Sequence, residues 1–540
     1  MKWVMKNDFR AILALITTYT IGNFLLLLSR GIYWDDWAII PLLEEKNYAL
    51  LWYLLSQGKL FSIYFLYKMA WLTNNPIFFM KFLSFISWLL AGLFLYGILR
   101  QKLALRQNRA FFISACFMLI PIYLVKIIQI VLRYSISNAI FFLAIFLYFT
   151  AQKSAGKFIK YSGYLLAWIL FFLSFETNSF LVFYLGFLGM LLLLYRQENL
   201  GRPFLSLLYD FSKKHFFFII LPLIFGLLKV TIGQPTDGYE GYNQIILPNN
   251  LLTYIQNIWQ NIVYGFFWPI LAPLGILPRK IFSGILIIIV GLFYFLTKNI
   301  LSNEKEGADF QPKQYLTAGL FLFILGVIPY FLVDKIPHIF GHGFAMRHAL
   351  LLPLGSSLII LGAVIAVIKD RWQTMVQVIL LSSFSTFTIF NYYTQDMDWY
   401  KQKAIIESLK ETKNETIINA TSLIFYDKMG ANWQNRNVRG EEYFGYIQSA
   451  FPKEKFKFAA REEHDPVKNY YSNPDNIKFF SPGFNPAKKV VKVEIVSRAK
   501  REITTVKNWL KIKKSEVLRN EPEMLKDIKD IYRVEIIPFD

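Results

Sequence analysis

Two adjacent carboxylates, Asp35 and Asp36, stand in the stretch Gly31-Ile32-Tyr33-Trp34-Asp35-Asp36-Trp37, just beyond the first apolar run. Neighbouring acids repel each other, and partial removal from water raises the pKa of at least one. Such a pair suits a general base or a cation site. The plainer reading is a helix N-cap followed by Trp34 and Trp37 in an interfacial belt. A single Asp would satisfy that reading, so the second points to chemistry.

Other charged groups fall at the ends of apolar runs. Glu176, in SFETNSF, is either a helix cap with Thr177 and Asn178 or a second acid. Arg347 and His348, in GHGFAMRHALLLP, precede another run, and His338 and His342 share their loop. These three His lack a compact ligand spacing such as HExxH, which argues against a metal held by them. Lys126 and Arg133 lie in LVKIIQIVLRYSIS. Charges so near an apolar core must be paired, face a wet cavity or snorkel. Lys81 and Lys229 fall inside runs and read as snorkelling side chains. No cofactor is required by this pattern. The cation that Asp35, Asp36 or Glu176 would suit is a divalent one, magnesium or manganese.

The elements that must position these residues are membrane spans. The chain has 540 residues, 55% of them hydrophobic and only 18% charged, with mean hydropathy +0.37. Disorder, a secreted disulfide scaffold and a cytosolic enzyme are excluded on these figures. About eleven apolar runs recur along residues 1–393, each long enough or nearly so to cross roughly 30 Å of hydrocarbon. The formal net charge is +21. A nucleic-acid footprint would need a contiguous basic face. Here Lys and Arg gather instead in alternate short loops, which places the N-terminus inside and predicts a multi-pass membrane protein. Arg279 with Lys280 is the one basic pair on the wrong side. The single Cys116 excludes a disulfide within the chain. No Walker loop and no dinucleotide fingerprint is present. Asn414 and Asn419 match the N-glycosylation pattern.

Residues 60–73 are short and carry Lys68, and 42–60 alternate Leu with Glu and Lys. Both suit helices lying on the membrane, so the first outer loop is expected to form a cap. The Trp-, Pro- and Phe-rich stretch 262–277 is a second such element. After Tyr393 the composition changes sharply, and residues 394–540 read as a small extracytoplasmic α/β domain. Strands are expected at Thr416–Ile418, Ser422–Tyr426, Val490–Val496 and Tyr532–Ile537, and helices at Tyr400–Glu411 and Ile503–Lys513.

A first span, then an Asp motif opening the first outer loop, then juxtamembrane helices, many spans and an outside C-terminal domain: this layout resembles the GT-C class of integral-membrane glycosyltransferases. The YWDDW stretch is similar to the Asp motif of bacterial members that modify cell-surface polysaccharides or lipids. The likeness covers the layout of residues 1–393 and only a few residues in detail. It implies a polyprenyl-phosphate-linked sugar as donor and an extracytoplasmic glycan, lipid or protein as acceptor, with membrane lipids as surroundings and no nucleic acid. Asp35 or Asp36 would then act as base while the other holds the acceptor or a divalent cation. Arg347, His348 and Arg133 would hold the donor phosphate, with Glu176 a secondary acid. Lys126, His338, His342, Trp34 and Trp37 stand as further candidates near that site. The rivals are a flippase or transporter, a polymerase or ligase of lipid-linked saccharides, and a non-catalytic scaffold. A transporter would place its charges near the bilayer midplane in two related halves, and no such halves are visible.

Overall fold

The computed structural model describes residues 7–44, 49, 69, 73, 75–232, 251–301, 310–335, 343–420, 422–429, 438, 440–451, 458–461, 490–499 and 502–539. Among them, seven helices are long and apolar enough to cross a membrane, or nine if each of two bent pairs forms one span. The pairs are Phe204–Lys214 with Phe216–Thr231, bent by 69°, and Gly343–Ala349 with Leu352–Val367, bent by 74°.

The sequence reading expected about eleven spans, and two of its runs fall short. Gln107–Leu119 forms a helix of 13 residues, all of them buried. At 1.5 Å per residue that is about 20 Å, too short to cross unaided. It is enclosed by its neighbours, and the stretch still runs from Gln107, bonded to Asp8 at the start of the first helix, to Gln129, bonded to Asp36 beyond its end. The chain leaves it through short 3-10 turns at Val125–Ile127 and Gln129–Val131. Irregular backbone is tolerated at such depth only where protein groups satisfy it. Tyr264 donates to the Ile122 carbonyl at 2.8 Å, and Ser84 to the Lys126 carbonyl at 2.9 Å. The second run, Lys157–Ser174, is 18 residues long, and Lys157, Lys160 and Ser162 dilute its first turns.

The last apolar run is part of one unbroken helix, Asp370–Glu411, of 42 residues. At about 1.5 Å per residue it is roughly twice as long as the hydrocarbon layer is thick. The expected domain boundary at 393 therefore falls inside a helix, and Tyr400–Glu411 is its final segment, not a separate element. Its far end carries Gln395, Asp396, Asp398, Lys401 and Gln402, all buried, with Asp396 and Lys401 paired to Lys513 and Asp427 of the C-terminal region and Gln402 bonded to Trp37.

That region holds a four-stranded sheet in the order β2-β1-β3-β4, with β1 at Ser422–Asp427, β2 at Phe458–Arg461, β3 at Val490–Ser497 and β4 at Val534–Phe539. β1 runs parallel to β2 and β3, and β3 antiparallel to β4. The strands expected at 422–426 and 490–496 form. Thr416–Ile418 instead lies in a short helix, Glu415–Ile418, because the Asn414 side chain accepts the N–H groups of Thr416 and Ile417 at 2.9 and 3.3 Å. The last strand starts at Val534, since Tyr532 ends the helix Glu521–Tyr532 and Arg533 closes it with a left-handed φ of 44°. The expected helix at 503–513 forms as Val506–Val517. The helix Gly440–Ala450 was not anticipated.

Residues 262–277 form consecutive helical turns that continue the helix Leu251–Ile262. That helix exposes Leu252, Ile255, Ile258 and Trp259 on one face, as a helix lying on a membrane would. The cap elements expected between 42 and 73 lie almost wholly outside the described residues.

Candidate functional site

The first long helix, Asn7–Leu28, ends in an extended passage whose carbonyls are collected by three buried donors. Lys513 donates to the Leu28 carbonyl at 2.9 Å. Lys81 donates to the carbonyls of Ser29 and Gly31 at 3.0 and 2.9 Å. Gln129 adds a bond to the Gly31 carbonyl at 3.3 Å. Lys81 thus turns inward, and the snorkelling expected of it does not occur. Its ammonium satisfies backbone acceptors that would otherwise be buried without partners. Gly31 is required here, because a Cβ would lie 2.1 Å from the Tyr33 hydroxyl oxygen.

The chain then makes a tight turn, with Asp36 donating its N–H to the Tyr33 carbonyl at 3.0 Å. Trp34 sits in the turn with a left-handed φ of 49°. For a bulky residue that costs on the order of 1–3 kcal/mol and persists only where surroundings enforce it. The Trp34 N–H donates to Glu442 at 3.3 Å, and its ring stacks on Phe344 at 6.0 Å.

This turn separates the two acids. Asp36 is fully buried. Its carboxylate accepts the backbone N–H groups of Ile130 at 2.7 Å, Gln129 at 2.9 Å and Tyr33 at 3.4 Å. Burial pushes its carboxyl up to about 7, against those three N–H groups and the charge of Lys81. The raised pKa anticipated for the pair thus comes from burial. Asp35 is only half-buried. Its charge acts on the hydroxyl of Tyr134, as do those of Arg133 and Arg347.

Tyr134 is therefore where the charged groups of three segments meet. Arg133 donates to its hydroxyl at 2.9 Å. Arg347 lies over the Phe344 ring at 3.7 Å, the same ring that Trp34 stacks on. Lys335 joins them: burial, then the charges of Arg347 and Arg133, bring its pKa down to about 8. Glu176 and Arg133 both act electrostatically on Lys229, which ties Lys229 to this cluster and not to the membrane surface alone. His348 packs on Tyr330 at 5.4 Å. The structure thus brings Asp35, Arg133 and Arg347 to act on one hydroxyl, that of Tyr134, with Glu176 and Arg133 both within electrostatic reach of Lys229.

Other candidates go elsewhere. Lys126 is enclosed, bonded to Asn23 at 3.3 Å and the Met118 carbonyl at 3.2 Å, with its ammonium 5.0 Å from the Trp88 ring. It holds the core together and does not face a cavity. Trp37 is neither belt nor site: its indole N–H donates to Gln402 at 3.0 Å, and its ring meets Tyr446 edge-on at 5.2 Å. His338 and His342 lie outside the described residues. No group of three or more His, Cys, Asp or Glu placed to hold a metal occurs among the described residues. Lys335 was missed because a lone Lys after an apolar run reads as an anchor.

Chemically, the arrangement offers one accessible carboxylate beside three cations. That combination can accept a proton and stabilise a departing phosphate. No family model matches this chain, no curated protein does, and no solved structure does.

Proposed function

We propose that this chain is an integral-membrane glycosyltransferase of the GT-C type. It takes a sugar from a polyprenyl-phosphate-linked donor and transfers it to a hydroxyl of an extracytoplasmic glycan, lipid or protein. The observation that carries this reading is the pairing of half-buried Asp35 with the charges of Arg133 and Arg347 around Tyr134.

In the proposed reaction the acceptor O–H gives its proton to Asp35 while its oxygen bonds to the anomeric carbon. The bond from that carbon to the phosphate oxygen breaks, and the phosphate leaves with the electron pair. Arg133, Arg347 and Lys335 stabilise the charge that develops there. Phosphate is already a good leaving group, so no second acid is needed, unlike glycoside hydrolysis. Asp36 keeps the loop in place. The seven to nine candidate spans and the alternation of Lys and Arg support a multi-pass protein with its N-terminus inside and its C-terminal region outside the cytoplasmic membrane.

The test is transfer of label from a set of polyprenyl-phosphate sugars by the purified chain in lipid, wild type against Asp35→Asn. Transfer that the substitution abolishes in a folded protein supports the reading. Transfer that persists moves the base elsewhere. No transfer, with movement of lipid-linked sugar between leaflets, favours a flippase.

A further inference from the structure

The C-terminal region contributes two buried side chains to the loop that presents Asp35. Glu442, fully buried on the helix Gly440–Ala450, accepts the Trp34 N–H at 3.3 Å. That N–H belongs to the one left-handed residue of the loop, directly before Asp35. Lys513, on the helix Val506–Val517, caps the first span by donating to the Leu28 carbonyl at 2.9 Å. The last carbonyls of a helix have no partner within it and carry its negative dipole end, so a cation there is doubly favoured.

Lys513 is itself fixed. Its other two donors go to Asp396 at 2.9 Å and Glu516 at 2.7 Å, both fully buried. A lysine has three donors, and all three are engaged. Burial works against its charge, and Asp396 and Glu516 more than offset it, so its pKa stands above the ordinary lysine value. Tyr400 donates to Glu516 at 2.9 Å, and Trp509 to Asp396 at 3.2 Å. The loop is thus gripped at both ends, by Lys513 where it leaves the span and by Glu442 at its left-handed turn.

We propose that Glu442 and Lys513 are positioning residues for Asp35, so that the C-terminal region is part of the reaction centre and not only its cover. This rests on the transferase reading, in which Asp35 is the base. A half-buried carboxylate aimed by a strained turn is sensitive to small displacements, because misplacement by about 1 Å can cost roughly 100-fold in rate.

The full chain in lipid nanodiscs is assayed as wild type, Glu442→Ala, Glu442→Gln, and Lys513→Met combined with Glu516→Gln, which lowers the uncompensated charge that Lys513→Met alone would leave. Two readouts are taken. Hydrogen exchange of the amides of residues 29–37 is compared with that of the long helix, and kcat and KM for the donor are measured. Glu442→Ala is expected to expose the 29–37 amides while the long helix keeps its protection. It should lower kcat about 10- to 100-fold with KM little changed. Glu442→Gln, which still offers an acceptor, should restore both. The Lys513 double variant should expose residues 29–31 first. Unchanged exchange at 29–37 in Glu442→Ala overturns the proposal. So does an unchanged kcat, or a loss confined to KM. Should the wild type transfer no sugar at all, the transferase reading fails, while the exchange measurement still decides whether these residues hold the loop.

Discussion

Asp36 and Ile130 lie 94 residues apart in sequence, yet the backbone N–H of Ile130 donates to an Asp36 carboxylate oxygen at 2.7 Å. Gln129 donates to the other oxygen at 2.9 Å. One acid of the adjacent pair is thereby a clasp between the loop after the first long helix and the turn that leads into the Arg133 helix. The other, Asp35, is half-buried and acts on the same Tyr134 hydroxyl as Arg133 and Arg347.

The two acids should therefore fail differently. Asp36→Ala leaves buried N–H groups of Tyr33, Gln129 and Ile130 without an acceptor. Each unsatisfied donor costs roughly 1–3 kcal/mol, so the unfolding midpoint should drop markedly. Asp35→Asn should leave stability within about 0.5 kcal/mol, as for most partly exposed changes. Loss of a general base should lower transfer by about 10²–10⁴-fold. Thermal unfolding and transfer assays on both variants check this, and equal losses of stability would refute the division of roles.

Stability should also carry the signature of Asp36. The folded carboxyl titrates at about 7, against 3.8 for an ordinary Asp. Between those values the folded state holds the extra proton, so this group's contribution to stability falls as pH rises from about 4 to about 7 and is constant above. Asp36→Asn removes that slope whatever its effect on the absolute level. Unfolding midpoints measured from pH 4 to 8 should show wild type losing stability relative to the variant up to about pH 7, with a constant difference above it. Parallel curves would show that Asp36 does not titrate in this window.

Much of this architecture was legible from residue type alone. Long apolar runs need no tertiary information, because a bilayer demands a fixed length of them. The Asp pair and the Arg at run ends stood out because charge beside hydrocarbon is costly. What could not be read was direction. Lys81 looked like a snorkelling side chain, since nothing in its own helix reveals the carbonyls of Ser29 and Gly31, about 50 residues away, that it serves. Trp37 looked interfacial for the same reason, its partner Gln402 lying 365 residues on. The run at 110–125 yields a helix of only 13 residues, because its apolar sequence continues through 3-10 turns that residue type alone does not separate from helix. Boundaries in the C-terminal region shifted where capping by Asn414 and the left-handed Arg533 overrode strand-like sequence.

Donor affinity should depend on pH through Lys335. Burial, with Arg347 and Arg133 nearby, brings its pKa down to about 8. It is charged below that value and neutral above it. KM for a phosphate-linked donor should therefore rise between about pH 7 and 9, and Lys335→Met should flatten the profile at the higher KM. Lys335→Arg should hold the lower KM to higher pH, since a guanidinium keeps its proton. Steady-state kinetics across this range decide the matter. An identical pH profile in Lys335→Met would remove Lys335 from the site.

Gly445 tests the contact between the C-terminal region and the Asp motif. A Cβ at this position would lie 2.5 Å from a ring carbon of Trp37, inside any tolerable contact. The ring cannot yield easily, because its N–H is bonded to Gln402 at 3.0 Å and it packs against Tyr446 and Trp399. Two effects oppose each other in Gly445→Ala. Alanine improves the helix Gly440–Ala450 by up to about 1 kcal/mol. Overpacking against a rigid aromatic costs about 1–3 kcal/mol. The second is larger, so the variant should be less stable than wild type despite its better helix former. The clash is also one residue from Asp36, so Trp37 fluorescence should shift and transfer should fall together. A Gly445→Ala protein that is more stable than wild type, with unchanged fluorescence, would mean that the two regions do not meet at this contact.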